Sequence, residues 1–407
     1  MRRLRWITPI PPCFDAGGGG EIRQAELLAA LADRFEVDLL TAGPLTDDRL
    51  RSRLSSVTEV DVVPYVDPSG LTRRRLRDVR WQLLERRPDE VARHVGTRRA
   101  LTRALGEVPP ADIVCVEYIS LAPLLPRRRS EPWTLTLHNL TSAMARHNAA
   151  LAPGRRQRVM LAQEERNSRH LEHWAARAYD LVVTPSPKDA RMLPGRVSVI
   201  PNGVDSERFR PSPLPSEPRV VFTGALHTLP NRDGIVWFCS EIWPRIRAQL
   251  PEARLDIVGS RPPRNVASLD QLAGVAVHAD VPAVPPFLDR ARVVVVPLRI
   301  GSGSRLKVLE ALAAGRPTVG TTIGVEGLEA VSGRHLLVED QPEAFARAVV
   351  MLLGDDDRAQ ALAQAGRELI DVSYAWPRIG RQYADLLEGL LTPDAGPAPR
   401  AAPRPTG

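Results

Sequence analysis

The stretch from Val293 to Gly320, VVVVPLRIGSGSRLKVLEALAAGRPTVG, constrains the fold of this chain more than any other. An apolar run without polar alternation, RVVVVP, reads as a strand buried on both faces, the pattern of a parallel sheet covered by helices. A glycine-rich turn follows and carries Arg305 and Lys307 into a helix with Glu310 on its first turns. Gly315 stops that helix before a second strand, PTVGT, and the whole is a βαβ unit. In such a unit glycines let backbone N–H groups approach an anion and the helix start adds its dipole. A carboxylate one turn further in can take two ribose hydroxyls, so a nucleotide is the natural guest. Neither the P-loop nor the G-x-G-x-x-G spacing is present, which leaves an ordinary strand-to-helix turn as the alternative from spacing alone.

The same alternation runs through the chain. LRWITPIPP reads as a strand, DAGGGG (Asp15 to Gly20) as a loop, EIRQAELLAALADRF as a helix and VDLLTAG as the next strand. Further strands are expected at Val60 to Tyr65, Asp112 to Glu117, Thr134 to Leu137, Leu181 to Thr184 and Val197 to Ile200, closing an α/β domain over residues 1–190. The proline-rich, aperiodic residues 191–218 read as a linker. A second strand–helix series occupies 219–372, with a helix expected over Gly234 to Leu250. A last helix lies in 373–392, and a Pro/Ala-rich tail over 393–407 is expected to stay disordered. The fold class is therefore α/β, two doubly wound Rossmann-like domains whose facing sheet ends would make a cleft.

Composition narrows the function classes. No apolar run reaches 18 residues, and the start, MRRLRWITPIPP, is too short and proline-broken for a secretory signal, so a cytoplasmic protein is expected. Cys13, Cys115 and Cys239 lie far apart without C-x-x-C spacing, which argues against disulfides and a zinc site. The net charge of +7 raises nucleic acid as a partner, but only Lys188 and Lys307 among the 55 basic residues are lysines. The arginines are interleaved with carboxylates and form no aromatic-rich stripe, so no nucleic-acid partner is expected. The clusters Arg73 to Arg75 and Arg127 to Arg129 could touch an anionic membrane surface, or be plain solvated faces.

Several residues stand where ligands of open sheets bind. Gly17 to Gly20 follow the first strand, and His138 and Asn139 end the strand TLTLHNL, where a histidine can hydrogen-bond a sugar hydroxyl. Gly224 ends the first strand of the second domain, in FTGALHTLPNRDG. The acidic run Asp355 to Asp357 suggests a metal pair at first sight, but its place between two helical patterns makes it a helix stop and the next N-cap. No metal or other cofactor is expected.

The string G-x-G-x-R-L-K-x-x-E-A-x-A-x-G-x-P, at Gly301 to Pro317, resembles the nucleotide-binding segment of the retaining, GT-B-fold glycosyltransferases of family 4. The phrase IPNGVD, Ile200 to Asp205, is similar to that family's interdomain signature. The resemblance implies that Glu310 holds the nucleoside ribose, that the Gly18–Gly19 loop lies near the donor diphosphate and the acceptor, and that His138 contacts the transferred sugar. It also implies a last helix packed back on the first domain.

Two departures from the family pattern stand out. Its Arg-and-Lys phosphate clamp after the Gly224 strand is replaced by Ala225 and by Asn231, Arg232 and Asp233, which makes Arg305 and Lys307 the best phosphate-binding replacements and Arg232 a weaker one. Its E-x7-E motif has Ser302 in place of the first glutamate. Backbone N–H groups of Ser302, Gly303 and Ser304 are the substitutes for sugar contact, with Glu326 a further candidate. The implied activity is transfer of a sugar from a nucleotide-diphosphate sugar to a glycan, lipid-linked or small-molecule acceptor. The alternatives are a catalytically degenerate scaffold or partner subunit, and a nucleotide-sugar epimerase.

Overall fold

Two parallel sheets organise the chain in a computed structural model that describes residues 1–15, 18–61, 88, 91, 94–126, 128–152, 154–301 and 305–392. Contacts divide it into one unit of Met1–Pro201 together with the chain from Gly380, and a second of Asn202–Ile379. The strands are β1 (Arg2–Thr8), β2 (Phe35–Ala42), β3 (Ser56–Val60), β4 (Ile113–Glu117), β5 (Trp133–Thr136), β6 (Leu181–Thr184) and β7 (Val197–Val199) in the first unit. The second has β8 (Arg219–Thr223), β9 (Arg254–Gly259), β10 (Val275–Ala279), β11 (Val293–Val296), β12 (Thr318–Gly320) and β13 (Leu337–Val338). Among the described residues the helices of seven or more residues are α1 (Gly19–Leu31), α2 (Val95–Glu107), α3 (Thr141–Leu151), α4 (Arg155–Ala178), α5 (Leu229–Trp237), α6 (Trp243–Gln249), α7 (Leu306–Ala313), α8 (Pro342–Gly354), α9 (Asp356–Ser373) and α10 (Trp376–Leu390).

The first sheet runs β3-β2-β1-β4-β5-β6-β7 and the second β10-β9-β8-β11-β12-β13. Each therefore reverses its winding once, between β1 and β4 and between β8 and β11. Ligands of open α/β sheets sit beyond the carboxyl ends of the strands at such a reversal. The unbroken apolar runs explain the layering: all five residues of β4 and all four of β11 are buried. The second core gathers Phe222, Ile257, Val295, Leu312 and Phe345, and the first gathers Ile7, Val116, Leu135 and Val182.

Local sequence accounts for several boundaries that differ from expectation. The strand expected at Val60 to Tyr65 ends at Val60, having begun at Ser56, and residues 62–65 lie outside the described ones. The helix expected over Gly234 to Leu250 starts earlier, at Leu229, because Pro230 fits the first helical turn. It is broken by a π-turn at Phe238–Ile242, where Pro244 just beyond lacks the N–H that a continuous ladder needs. Asp355 caps α9 by accepting the Arg358 N–H at 2.9 Å, the structural role its flanking helices imply.

Residues 191–218 do not hang free between the units. β7 pairs with β6, and fully buried Arg23 donates to the carbonyls of Ile200 and Pro201 at 2.7 Å each, holding that stretch in the first unit. From Asn202 the chain belongs to the second unit. There Arg316, 0% exposed, donates to Ser212 O at 2.8 Å, and Arg292 donates to Pro215 O at 3.0 Å. A proline-rich strand with few N–H donors keeps its carbonyls free, and buried guanidinium groups satisfy them. In the first unit, Gly380 of α10 lies against Ala30 and Tyr383 packs edge-on to Trp6 at 6.2 Å.

Candidate functional site

At the β8–β11 reversal, the strand ends of the second unit bring Gly224, Asn231 and Lys307 together. Gly224 has φ +153°, and a Cβ there would stand 2.6 Å from Lys307 Nζ and 2.8 Å from Asn231 Nδ2. The absence of a side chain is what lets the ammonium approach. Lys307 donates to Asn231 Oδ1 at 2.6 Å, and its Nζ sits 4.3 Å from the centre of the Phe222 ring. Burial, followed by the neighbouring Arg305, lowers this lysine to about 7, with Glu310 pulling the other way. Asn231 in turn donates to Ala225 O at 3.0 Å, so the turn after β8 is locked to the helix after β11.

Arg305 stands at the N-cap of α7, its guanidinium against Gly301, which has φ +135°, and its Nε donates to Ile323 O at 3.3 Å. It thereby braces the turn that carries Glu326. Glu310, half-buried on α7, is raised by burial while Lys307 and Arg208 oppose the rise. Arg232 is half-buried on α5, and the neighbouring Asp233 is engaged by Arg299 at 2.6 Å. Ser302, Gly303 and Ser304 lie outside the described residues. The structure thus joins Gly224, Arg305, Lys307 and Glu310 in one local group. Arg232 and Glu326 sit on flanking elements.

The first unit has its own cluster beyond β4 and β5. His138 Nε2 lies 2.7 Å from Glu117 Oε2, and the His138 ring stacks on Tyr118 at 4.2 Å. Glu117 is 1% exposed. Tyr118 holds φ +68°, a left-handed conformation that costs a non-glycine residue about 1–3 kcal/mol. It is kept there by its N–H on Thr136 O at 3.0 Å and by Gln24, which reaches its hydroxyl at 3.4 Å. A Cβ on Gly20 would stand 2.2 Å from that hydroxyl, which explains a glycine in the first turn of α1. Gly18 and Gly19 open the same helix, and the Glu21 carboxylate of its first turn lies against Gly18. Ala16 and Gly17 lie outside the described residues.

A cavity of about 310 Å³ opens beside His138 and Tyr118, with Asn139 in its wall. Of the basic clusters, Arg129 is committed to Asp180 at 3.2 Å with both side chains 7% exposed, so it is no surface cation. Arg73 to Arg75 and Arg127 lie outside the described residues. Among the described residues no group of three or more His, Cys, Asp or Glu is arranged to hold a metal. Sequence reasoning missed Glu117 and Tyr118 as partners of His138, and Asn231 and Phe222 as partners of Lys307.

The Glycosyltransferase Family 4 model matches residues 17–208, and the Glycosyl transferases group 1 model matches residues 217–355. The chain belongs to the family 4, or group 1, glycosyltransferases. A GDP-mannose-dependent alpha-(1-6)-phosphatidylinositol monomannoside mannosyltransferase of Mycobacterium tuberculosis (strain ATCC 25618 / H37Rv) is 32% identical over 47% of this chain and 55% of its own length. The chain spans about half the length of the mannosyltransferases it matches in this way. A D-inositol 3-phosphate glycosyltransferase of Acidothermus cellulolyticus is 29% identical over 88% of this chain and 82% of its own length. The sucrose-phosphate synthase of Thermosynechococcus elongatus superposes with a TM-score of 0.74 at 21% identity, covering 96% of this chain and 99% of that one. The fold of this family 4 member is therefore GT-B, two Rossmann-like domains with parallel sheets of seven and six strands.

Proposed function

We propose that the chain transfers a sugar from a nucleotide-diphosphate sugar to a glycan, lipid-linked or small-molecule acceptor, with retention of anomeric configuration. One observation carries the reading: the Lys307 ammonium packed against Gly224 and Asn231 at the β8–β11 reversal, with Arg305 at the start of α7. A lysine lowered to about 7 is poised to take full charge when a diphosphate arrives. Such a cation stabilises the negative charge that grows on the diphosphate as the sugar departs. The names of the relatives, GDP-mannose-dependent in one case, support a nucleotide sugar as donor.

In this reading Glu310 takes the ribose hydroxyls, and Gly224 and the backbone N–H groups of Ser302, Gly303 and Ser304 receive the diphosphate and sugar. Gly18, Gly19, Arg232 and Glu326 are the remaining donor contacts, and His138 hydrogen-bonds the transferred sugar. The acceptor oxygen bonds to the anomeric carbon while the bond from that carbon to the phosphate oxygen breaks. The electron pair leaves with the diphosphate, and the acceptor's proton passes to the departing phosphate oxygen, so neither a protein base nor a metal is assigned a step.

A cytoplasmic location with peripheral contact to an anionic membrane belongs to the same proposal. Among the described residues no helix is long and apolar enough to cross a membrane. Support for surface contact comes from α4, where Val159 and Met160 are 61% and 39% exposed directly after Arg155, Arg156 and Arg158.

Acceptor-dependent turnover of GDP- and UDP-sugars, with the product's anomeric configuration read by NMR, tests the proposal. Conversion of the donor without an acceptor means an epimerase, and binding without any turnover means a scaffold.

A further inference from the structure

The cavity beside His138 lies wholly in the first unit, between the strand ends and the α3–α4 helix pair. Its walls divide by chemistry. Met144, Ala145 and Leu161 give an apolar side, and Tyr118 and His138 add ring surface. Asn139, Asn148 and Glu164 supply two amides and a carboxylate, and no arginine or lysine is among its described lining residues. Apolar and aromatic surface opposite amides and a carboxylate suits a ring with C–H faces and outward hydroxyls, each hydroxyl able to donate to the acceptor oxygens.

A phosphate group needs strong donors or positive charge, and the start of α3, which borders the cavity, is already taken. Thr141, in the wall, is the first residue of α3. The buried carboxylate of Glu172 accepts the Ser142 N–H at 3.0 Å and also the Ser142 hydroxyl, filling the place an external anion would occupy. Glu164 adds a second carboxylate, which also accepts from Ser168 Oγ at 3.4 Å. A phosphate monoester brought into this cavity would meet a carboxylate and, among the described lining residues, no arginine or lysine to offset its charge, only the neutral amide and hydroxyl donors.

We propose that this cavity is a subsite for an uncharged polyhydroxyl ring and rejects the same ring carrying a phosphate. The inference rests on the glycosyltransferase reading and deepens it by naming the chemical class of the acceptor. A volume of about 310 Å³ holds one such ring, at the lower end of ordinary ligand pockets.

The test is titration calorimetry on the full chain with methyl α-mannoside, octyl α-mannoside, myo-inositol and myo-inositol 1-phosphate, the nucleotide sugar being titrated separately. At least one neutral ring should bind ten or more times tighter than the phosphate ester. Methyl against octyl mannoside separates a free ring from a lipid-borne one. Ala145→Phe should abolish neutral-ring binding while leaving nucleotide-sugar binding as in the wild type. Asn148→Ala, a milder change, should weaken neutral-ring binding at least fivefold. Glu172→Gln and Glu164→Gln together should raise affinity for the phosphate ester at least tenfold. Equal or tighter binding of the phosphate ester by the wild type, neutral-ring binding that survives Ala145→Phe, or no saturable binding of any ring overturns the proposal. Loss of nucleotide-sugar binding with ring binding intact would instead remove the transferase reading of the second unit.

Discussion

Lys307→Met should make the second unit more stable and, at the same time, a much poorer ligand for the diphosphate. The lysine is held near 7 by burial and by Arg305, so at neutral pH about half of the free protein carries the ammonium. If the donor binds only the charged form, wild-type affinity should fall about tenfold per pH unit above 7. Between pH 6 and pH 9 the charged fraction drops from ~0.9 to ~0.01, roughly 90-fold or about 2.7 kcal/mol of binding free energy. The intact nucleotide sugar is the right probe, because its diphosphate diester does not titrate across that range whereas a free nucleoside diphosphate does. Calorimetry in buffers of different ionisation enthalpy should show net proton uptake above pH 7. In Lys307→Met the pH dependence and the proton uptake should both vanish, with affinity at pH 6 lowered by about 2–4 kcal/mol. A thioether against Phe222 removes the cost of a buried ammonium, so the melting temperature of the ligand-free variant at pH 6 should rise. Wild-type affinity that stays flat from pH 6 to pH 9, or a variant that keeps the wild-type pH profile, would refute the assignment of Lys307 to the diphosphate.

The remaining expectations concern neighbouring groups. Gly224→Ala forces a Cβ to within 2.6 Å of Lys307 Nζ at φ +153°, and should cost about 1–3 kcal/mol of stability in urea unfolding together with at least tenfold in donor affinity. Glu117→Gln removes the carboxylate that fixes the Nε2 side of His138; ¹⁵N NMR should show the ring lose its single tautomer, and kcat should fall about tenfold with little change in KM. Glu172 is raised to about 7 by burial, so the protonated form is favoured in the folded state and the stability it contributes, up to about 3 kcal/mol, is full below ~4.5 and lost as pH rises to 7. Glu172→Gln should flatten that slope in unfolding experiments between pH 4.5 and 7, and an unaltered slope would contradict the burial of its carboxyl.

What the sequence could disclose follows from where each interaction is encoded. The βαβ unit at Val293–Gly320 was legible because one buried strand, one glycine turn and one helix stop are contiguous, and local propensity agrees with the fold at every step. The pairing of Glu117 with His138 was not. It requires β4 and β5 to be parallel neighbours in the register that sets Glu117 opposite Thr136, and only strand order supplies that. Lys307 was singled out by rarity, yet its partners Gly224 and Asn231 lie some eighty residues earlier on the far side of a sheet reversal. The proline-rich stretch before β8 was read only as a linker for a different reason. Nothing in the string of an arginine-rich chain distinguishes Arg292 and Arg316, which bury their guanidinium groups on its carbonyls, from arginines that face water.

The two units also solve the same anion problem in opposite ways, and sequence pattern alone cannot tell which solution a glycine loop has adopted. In the first unit the start of α3 at Thr141 is met by a carboxyl group of the chain, Glu172, which accepts the Ser142 N–H. A helix start whose N–H is already bonded from within has less to offer an external phosphate. In the second unit Arg305 is the N-cap of α7 and Lys307 its second residue, and Glu310, one turn in, is raised by burial. Positive charge there is left in surplus against a glycine edge. The charge balance of the helix starts, more than the glycine count, therefore supports the proposed placing of the diphosphate in the second unit and of an uncharged ring in the first.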